Sequence, residues 1–232
     1  MNIPDWWPNK DKEPYIIGNC IDKMPKLPAG CVDLILTDPP YGIDYHSNHY
    51  VDKNPNPKLK GDDVVWTRFI THAWRLLKET GAMVVFTSQA VEYEWFKALQ
   101  SYNIRNKVVW VKNNWSAGDL KQSMGRQYEV AYFCVKPGFS FPNKRPSDVY
   151  RANREPPIGH GTVKPKELFK DLINDLCPEN GIVLDPFLGS GTTILSTRMA
   201  GKGRIGLGIE IDKTYEGTII NKIGDIDAIW ND

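Results

Sequence analysis

The chain has 232 residues, 41% of them hydrophobic, with 29 lysines and arginines against 28 acids and a formal net charge of +1. That apolar content can bury a sizeable core. No apolar run approaches the roughly 20 residues of a membrane span, and the N-terminus lacks the apolar centre of a secretion signal, so a soluble, intracellular chain is expected. Cys20, Cys31, Cys134 and Cys177 stand far apart with no CxxC or Cys/His spacing, which signals neither a zinc site nor a disulfide framework.

In chain order, Cys31 to Thr37 is a β-type run that stops at Asp38-Pro39-Pro40-Tyr41-Gly42. Asp62 to Lys78 has helical spacing, with Val65, Phe69, Ala73 and Leu76 or Leu77 recurring every three or four residues, and Gly81 is expected to end it before a strand from Ala82 to Thr87. Ser88 is the expected N-cap of a helix running to about Leu99. Strands are then predicted over Ile104 to Val111 and Arg126 to Val135. From Lys136 to Val163 the pattern dissolves into Pro, Gly, Asn and Arg, which is long for a loop in a compact domain and points to a functional or a disordered segment. Pro165 suits the first position of a helix over Lys166 to Leu176. A short buried strand (Ile182 to Leu184), a helix (Ser190 to Met199) and a strand (Ile205 to Ile209) complete the series. Strands alternating with helices predict a largely parallel α/β sheet.

Charge is unevenly spread. Residues 136 to 170 hold eight basic side chains (Lys136, Lys144, Arg145, Arg151, Arg154, Lys164, Lys166, Lys170) against Asp148, Glu155 and Glu167, whereas the balance turns acidic from Glu210 onward. A basic middle and an acidic end fit a polyanion bound on one side, although a solvated loop explains the same charges.

Ligands of open α/β sheets bind beyond the carboxyl ends of the strands, which singles out two loops: Asp38 to Gly42 and Asp185-Pro186-Phe187-Leu188-Gly189-Ser190-Gly191-Thr192-Thr193. In the second, the glycines permit close backbone approach where a helix begins, and amides there hold an anionic group. Ile194 stands where a dinucleotide fingerprint wants a third glycine, which counts against nicotinamide binding. Glu210 closes the next strand about 20 residues on, as a carboxylate that accepts ribose hydroxyls does. The ligand therefore reads as a nucleoside with a small anionic tail. In the first loop, two prolines send the chain out of the sheet in a fixed direction. The Asp38 carboxylate and Pro39 carbonyl can then accept from one amino group, and Tyr41 offers a face for stacking a ring.

These loops resemble those of the amino-directed DNA methyltransferases that use S-adenosylmethionine. DPPY resembles that family's catalytic loop, and DPFLGSGTT is similar to its cofactor loop, usually DPFxGSGTT. The catalytic loop comes about 145 residues before the cofactor loop, which resembles the β-group order. Gly18-Asn19-Cys20 with Val32-Asp33-Leu34-Ile35, Trp110-Val111-Lys112-Asn113, and His160-Gly161-Thr162-Val163-Lys164-Pro165 (similar to HPTxKP) extend the likeness over residues 15 to about 215. Asn19 stands where the family usually has Asp, and Gly161 where it has Pro.

The resemblance implies one Rossmann-like class I methyltransferase domain over residues 1–232, with a mostly parallel seven-stranded sheet. Within it would lie a catalytic region (15–111), target-recognition insertions (about 43–61 and 112–163) and a cofactor-binding region (160–215). It also implies catalytic roles for Asp38, Pro39, Pro40 and Tyr41. Contacts to S-adenosylmethionine would come from Asn19, Cys20, Asp38, Thr162, Lys164, Asp185, Phe187, Gly189, Ser190, Gly191, Thr192 and Glu210, and no metal is needed. Double-stranded DNA is the implied partner, with Arg126, Arg145, Arg151 and Arg154 as the contacts and Tyr45, His46, Asn48 and Tyr50 as candidates to fill the gap left by a flipped base. By analogy a homodimer and a cognate restriction endonuclease are further expected partners. The chemistry expected is methyl transfer to adenine N6. Cytosine N4, an amide of RNA or protein, and an idle DNA-binding module stay open as rivals. Carbon-directed cytosine methylation needs a Pro-Cys nucleophile, and the chain has no Pro-Cys dipeptide.

Overall fold

A computed structural model describes residues 3–9, 13–41, 67–115, 121–122, 124–155 and 163–229, the last five as backbone only. Eight strands form one sheet: β1 (Tyr15–Ile17), β2 (Val32–Thr37), β3 (Leu77–Thr87), β4 (Ile104–Val111), β5 (Tyr128–Val135), β6 (Val149–Arg151), β7 (Ile182–Asp185) and β8 (Ile205–Glu210). Their order is β1-β8-β7-β2-β3-β5-β4-β6. The β3/β5 and β5/β4 pairs are antiparallel and the others parallel. The sheet is thus mostly parallel, as expected, with one strand more than the seven expected. β6 is a three-residue edge strand inside the stretch that reads as a long loop.

Helices α1 (Cys20–Lys23), α2 (Phe69–Leu76), α3 (Glu92–Leu99), α4 (Lys166–Leu176), α5 (Thr192–Ala200) and α6 (Glu216–Ile229) accompany the strands. Every residue of β2 is buried, as befits a strand covered on both faces. Alternation along it divides the core. Ile35 packs with Phe69, Ala73, Met83 and Trp95 on one face, while Leu34 and Leu36 pack with Phe86, Phe169, Leu172 and Ile173 on the other. A smaller cluster of Tyr15, Leu188, Ile194, Ile219 and Ile223 seats α6 against the glycine loop.

The expected helix stop at Gly81 is not where the helix ends. α2 ends at Leu76, and Leu77, 1% exposed, already pairs with Val32. Lys78 to Gly81 bulge out of the β2/β3 register, with Lys78 clasping the Asp33 carboxylate at 2.8 and 3.0 Å. Gly81 serves close approach instead, since a Cβ there would meet the Lys78 and Asp33 carbonyl oxygens at 3.0 and 3.1 Å. The start of α3 also differs. Ser88 opens a turn, accepting from the Ala90 amide at 3.3 Å, and Val91 is the cap. Pro165 stands at the N-cap of α4 rather than inside it, and the Lys166 amide finds Glu155 Oε1 at 2.7 Å. The first residues of the helical pattern, 62–66, lie outside the described residues.

β2 and β7 are neighbouring parallel strands, so their carboxyl ends leave the sheet at one edge. The two loops singled out in the sequence therefore start side by side. Thr37 Oγ1, the last hydroxyl of β2, donates to Asp185 Oδ1, the last residue of β7, at 2.7 Å.

Candidate active site

On the β2 side, Asp38 is gripped from two directions. The Tyr41 hydroxyl donates to Oδ1, and the Lys164 ammonium donates to Oδ2. Lys164 Nζ also lies 3.3 Å from the Tyr41 phenol oxygen, 3.1 Å from Glu129 Oε2, and over the rings of Tyr41 and Phe86 at 5.7 and 5.4 Å. Glu129, from the start of β5, is held on its other oxygen by Lys112 at 2.6 Å, just beyond β4. Burial works to lower the Lys164 pKa, but Asp38 and Glu129 outweigh it and leave it well above the ordinary lysine value. Burial works to raise Glu129, and the two lysines overcome that and hold it down at about 2. Tyr41 is pushed well up, first by burial and then by the Asp38 charge, so it stays a donor. The cluster is two carboxylates and two ammonium groups in a dry setting.

On the β7 side the carboxylates are held without cations. Asp185 turns inward, accepting from Thr37 Oγ1, from Thr193 Oγ1 at 2.5 Å and from the Phe187 amide at 3.0 Å. Burial, partly offset by these donors, pushes its carboxyl up to about 6. Glu210 accepts from the Gly189 amide at 2.7 Å and the Asp212 amide at 2.8 Å, and burial raises it also. Gly189 and Gly191 have φ of +54° and +90°, conformations that L side chains rarely take. Among the described residues a Cβ on Gly189 would meet nothing within 4 Å. Ser190 Oγ and Thr192 Oγ1 both accept from Lys222 Nζ, at 2.8 and 2.9 Å. Phe187 sets its ring edge-on to Phe69 at 5.0 Å. Asn19 caps α1, its side-chain oxygen accepting from the Ile21 amide at 3.0 Å, and the Gly18 amide donates to the Glu210 carbonyl at 2.7 Å. Cys20 is buried, its thiol pushed up to about 12.

These residues fit a nucleoside with a charged tail. The glycine turn permits close backbone approach, the Glu210 carboxylate keeps lone pairs beyond its two amide bonds, and hydroxyls of Ser190 and Thr192 line the loop.

The structure thus brings Asp38, Tyr41, Lys164, Asp185, Phe187, Gly189, Ser190, Gly191, Thr192, Glu210, Asn19 and Cys20 to one edge of the sheet. Lys164, expected at the cofactor, rests on Asp38. Thr162 and the loop 42–66 lie outside the described residues. Arg151 and Arg154 share a groove of about 570 Å³ with Lys112, Asn113 and Lys166, whereas Arg126 and Arg145, both exposed, are not among its lining. Glu129, Lys112, Thr37, Thr193 and Lys222 were missed as site residues. Lys112 stands in the segment Trp110-Val111-Lys112-Asn113 and Thr193 in the loop DPFLGSGTT, which are the signals that could have found them. Among the described residues no cluster of His, Cys, Asp or Glu is placed to hold a metal, and no helix is long and apolar enough to cross a membrane.

Comparison with known proteins meets this geometry. The DNA adenine methyltransferase YhdJ of Escherichia coli K12 is 26% identical over 239 residues, 86% of this chain and 79% of that one. The crystal structure of M1.HpyAVI in complex with SAM superposes with a TM-score of 0.67 at 25% identity, covering 90% of this chain and 98% of the other. The cytosine-N4-specific PvuII DNA methyltransferase matches with a TM-score of 0.70 over 94% and 90% of the two chains, at 14% identity, a likeness of fold alone. The family model described as DNA methylase, for N6 and N4 amino methylation, matches residues 32–222, a span containing both loops and the sheet between them. A chain with this fold, these two loops at one sheet edge and that match belongs to the N6/N4 DNA methylase family, whose methyl donor is S-adenosylmethionine.

Proposed function

We propose that this DNA methyltransferase acts on the exocyclic N6 amino group of adenine flipped out of duplex DNA. The observation that carries the reading is the meeting of Asp38 and the glycine loop at one edge, tied by the Thr37–Asp185 hydrogen bond. Adenine is favoured over cytosine by Asp at position 38, where the cytosine-directed form more often has Ser, and by the likeness to an adenine methyltransferase along most of the chain.

The exocyclic nitrogen is a poor nucleophile because its lone pair is spread into the ring. The Asp38 carboxylate and the Pro39 carbonyl accept from its two hydrogens, which favours a pyramidal nitrogen with the lone pair localised and aimed. Tyr41 stacks on the extruded base. Bound S-adenosylmethionine supplies an electrophilic methyl group on a sulfonium. The Asp38 carboxylate would take the proton that the methylated nitrogen sheds and pass it to water. The protein supplies position and a preorganised field, with no covalent link to the substrate. Glu210 accepts from the ribose hydroxyls, Gly189 and Gly191 let the backbone approach, and Arg151 and Arg154 hold phosphates beside the site.

Duplex DNA treated with the protein and S-adenosylmethionine, then digested to nucleosides, should yield N6-methyl-2′-deoxyadenosine by mass. N4-methyl-2′-deoxycytidine in its place would move the reading to cytosine. Methyl transfer to RNA or protein but not to duplex DNA would overturn it.

A further inference from the structure

The reading of Asp38 as the acceptor for the target amine, on which this inference rests, meets an obstacle in the structure. Asp38 Oδ1 receives the Tyr41 hydroxyl and Oδ2 the Lys164 ammonium. An ammonium and an amino group are donors of the same kind, so Lys164 competes with the substrate nitrogen for Asp38 Oδ2 and draws on the charge that the amine needs. It cannot simply withdraw into water. Its side chain is 6% exposed, and a buried cation without an anion costs several kcal/mol.

A second anion is already in place. Glu129 Oε2 lies 3.1 Å from Lys164 Nζ, yet among the described residues that oxygen makes no hydrogen bond. It is a buried acceptor that already pairs with the ammonium at ion-pair distance. The other oxygen, Oε1, is anchored by Lys112, which fixes Glu129 on the β4–β5 hairpin and keeps its charge in place. One carboxylate arm is therefore tied and the other faces Lys164.

We propose that Glu129 is a positioning residue that takes over the Lys164 ammonium when the target amine arrives, so that Asp38 is released to accept from the base. The exchange moves one cation between two carboxylates and changes no bond order and no net charge in the pocket. In the resting protein Lys164 holds the acceptor site dry and filled. In the working complex the ammonium hydrogen-bonds Glu129 Oε2 and stays beside Asp38.

The alternative is that Glu129 only neutralises a buried lysine, and a mutant cycle with steady-state kinetics separates the two. Glu129→Gln keeps the shape and an acceptor for Lys112 but removes the charge that draws Lys164 off Asp38. Its kcat should fall about 30-fold, while the cofactor Kd and the KM for DNA, dominated by phosphate contacts, stay within about threefold of the parent. Added to Lys164→Met, the same change should cost nothing further, because Glu129 acts through Lys164. An unchanged kcat in Glu129→Gln, or an equal loss in both backgrounds, would overturn the exchange. Should Glu129→Gln fold poorly, Glu129→Asp keeps the charge and withdraws the acceptor by one methylene. A several-fold loss of kcat supports the proposal there, and parental turnover sinks it. If Asp38→Ala itself retains turnover, the fault lies in the acceptor assignment. If Asp38→Ala is dead and Glu129→Gln is normal, the exchange alone fails.

Discussion

The two sides of the cleft hold buried carboxylates in opposite ways. On the β2–β5 side, Asp38 and Glu129 face the ammonium groups of Lys164 and Lys112, and Glu129 is held down at about 2. On the β7–β8 side, Asp185 and Glu210 face only hydroxyls and amides. Burial raises both, Asp185 to about 6. The sides differ in burial as well as in partner, since Asp38 and Glu129 keep 24% and 25% of their side chains exposed against 3% and 7% for Asp185 and Glu210. A lysine on a flexible stem can pass from one carboxylate to another without orphaning either, whereas a backbone amide points one way only. The first arrangement suits a site whose partners must change during a reaction. The second suits a scaffold that keeps a loop in one shape.

The largest effect expected from that contrast is on turnover. Asp38→Ala removes an acceptor needed only while the amine is being aimed, so kcat should fall about a thousandfold while cofactor affinity stays within about threefold, as read by single-turnover methylation and titration calorimetry. Retained turnover, or a matching loss of cofactor binding, would erase the division of labour between the two sides. Gly189→Ala should do the reverse. Among the described residues the added methyl meets no atom within 4 Å, but it sits at φ +54°. Stability should drop by about 1 kcal/mol from the left-handed backbone, and the cofactor Kd should rise about tenfold. A variant with unchanged Kd would mean that the cofactor does not lie over this glycine.

The parts that could be read from the sequence are those whose cause is local. Ile104–Val111 and Lys166–Leu176 come out residue for residue, because each carries its own signature: a β-rich run in the first, apolar residues at helical spacing ahead of Cys177 in the second. The two loops were visible because prolines and glycines constrain the backbone wherever they stand. What stayed hidden depends on distant partners. Tyr15–Ile17 and Val149–Arg151 are three-residue edge strands that owe their form to Gly208–Glu210 and Val109–Val111. The bond of Lys164 to Asp38, 126 positions away, is likewise not legible in the sequence. Nothing in the sequence pairs Glu129 with Lys112, which the β4–β5 hairpin brings together. Lys222 lay past the point where the resemblance faded, and only the packing of Ile219 and Ile223 beside the glycine loop brings it to Ser190.

The smallest effect, and the most direct comparison of the two sides, lies in the pH dependence of stability. Glu129 has a folded pKa of about 2 against 4.5 for the free side chain, so its contribution is present above pH 4.5 and is lost as the pH falls from 4.5 toward 2. Asp185 has a folded pKa of about 6 against 3.8, so its ionised form is a cost at neutral pH, and that cost is relieved as the pH falls from 6 toward 3.8. The two windows barely overlap. Thermal melts at constant ionic strength should therefore show stability holding or rising from pH 7 to about 5 and falling below 4.5. Asp185→Asn mimics the protonated acid, and its amide oxygen can still accept from Thr37 and the Phe187 amide. It should be more stable than the parent at pH 7 by about 1–2 kcal/mol and should flatten the curve between pH 7 and 5. Glu129→Gln should leave that limb intact and weaken the acid one. Parallel curves for Asp185→Asn and the parent between pH 7 and 5 would show that Asp185 is not the strained carboxylate of the pair. The side whose carboxylates lack a cation partner would then be no different in kind from the lysine-paired side.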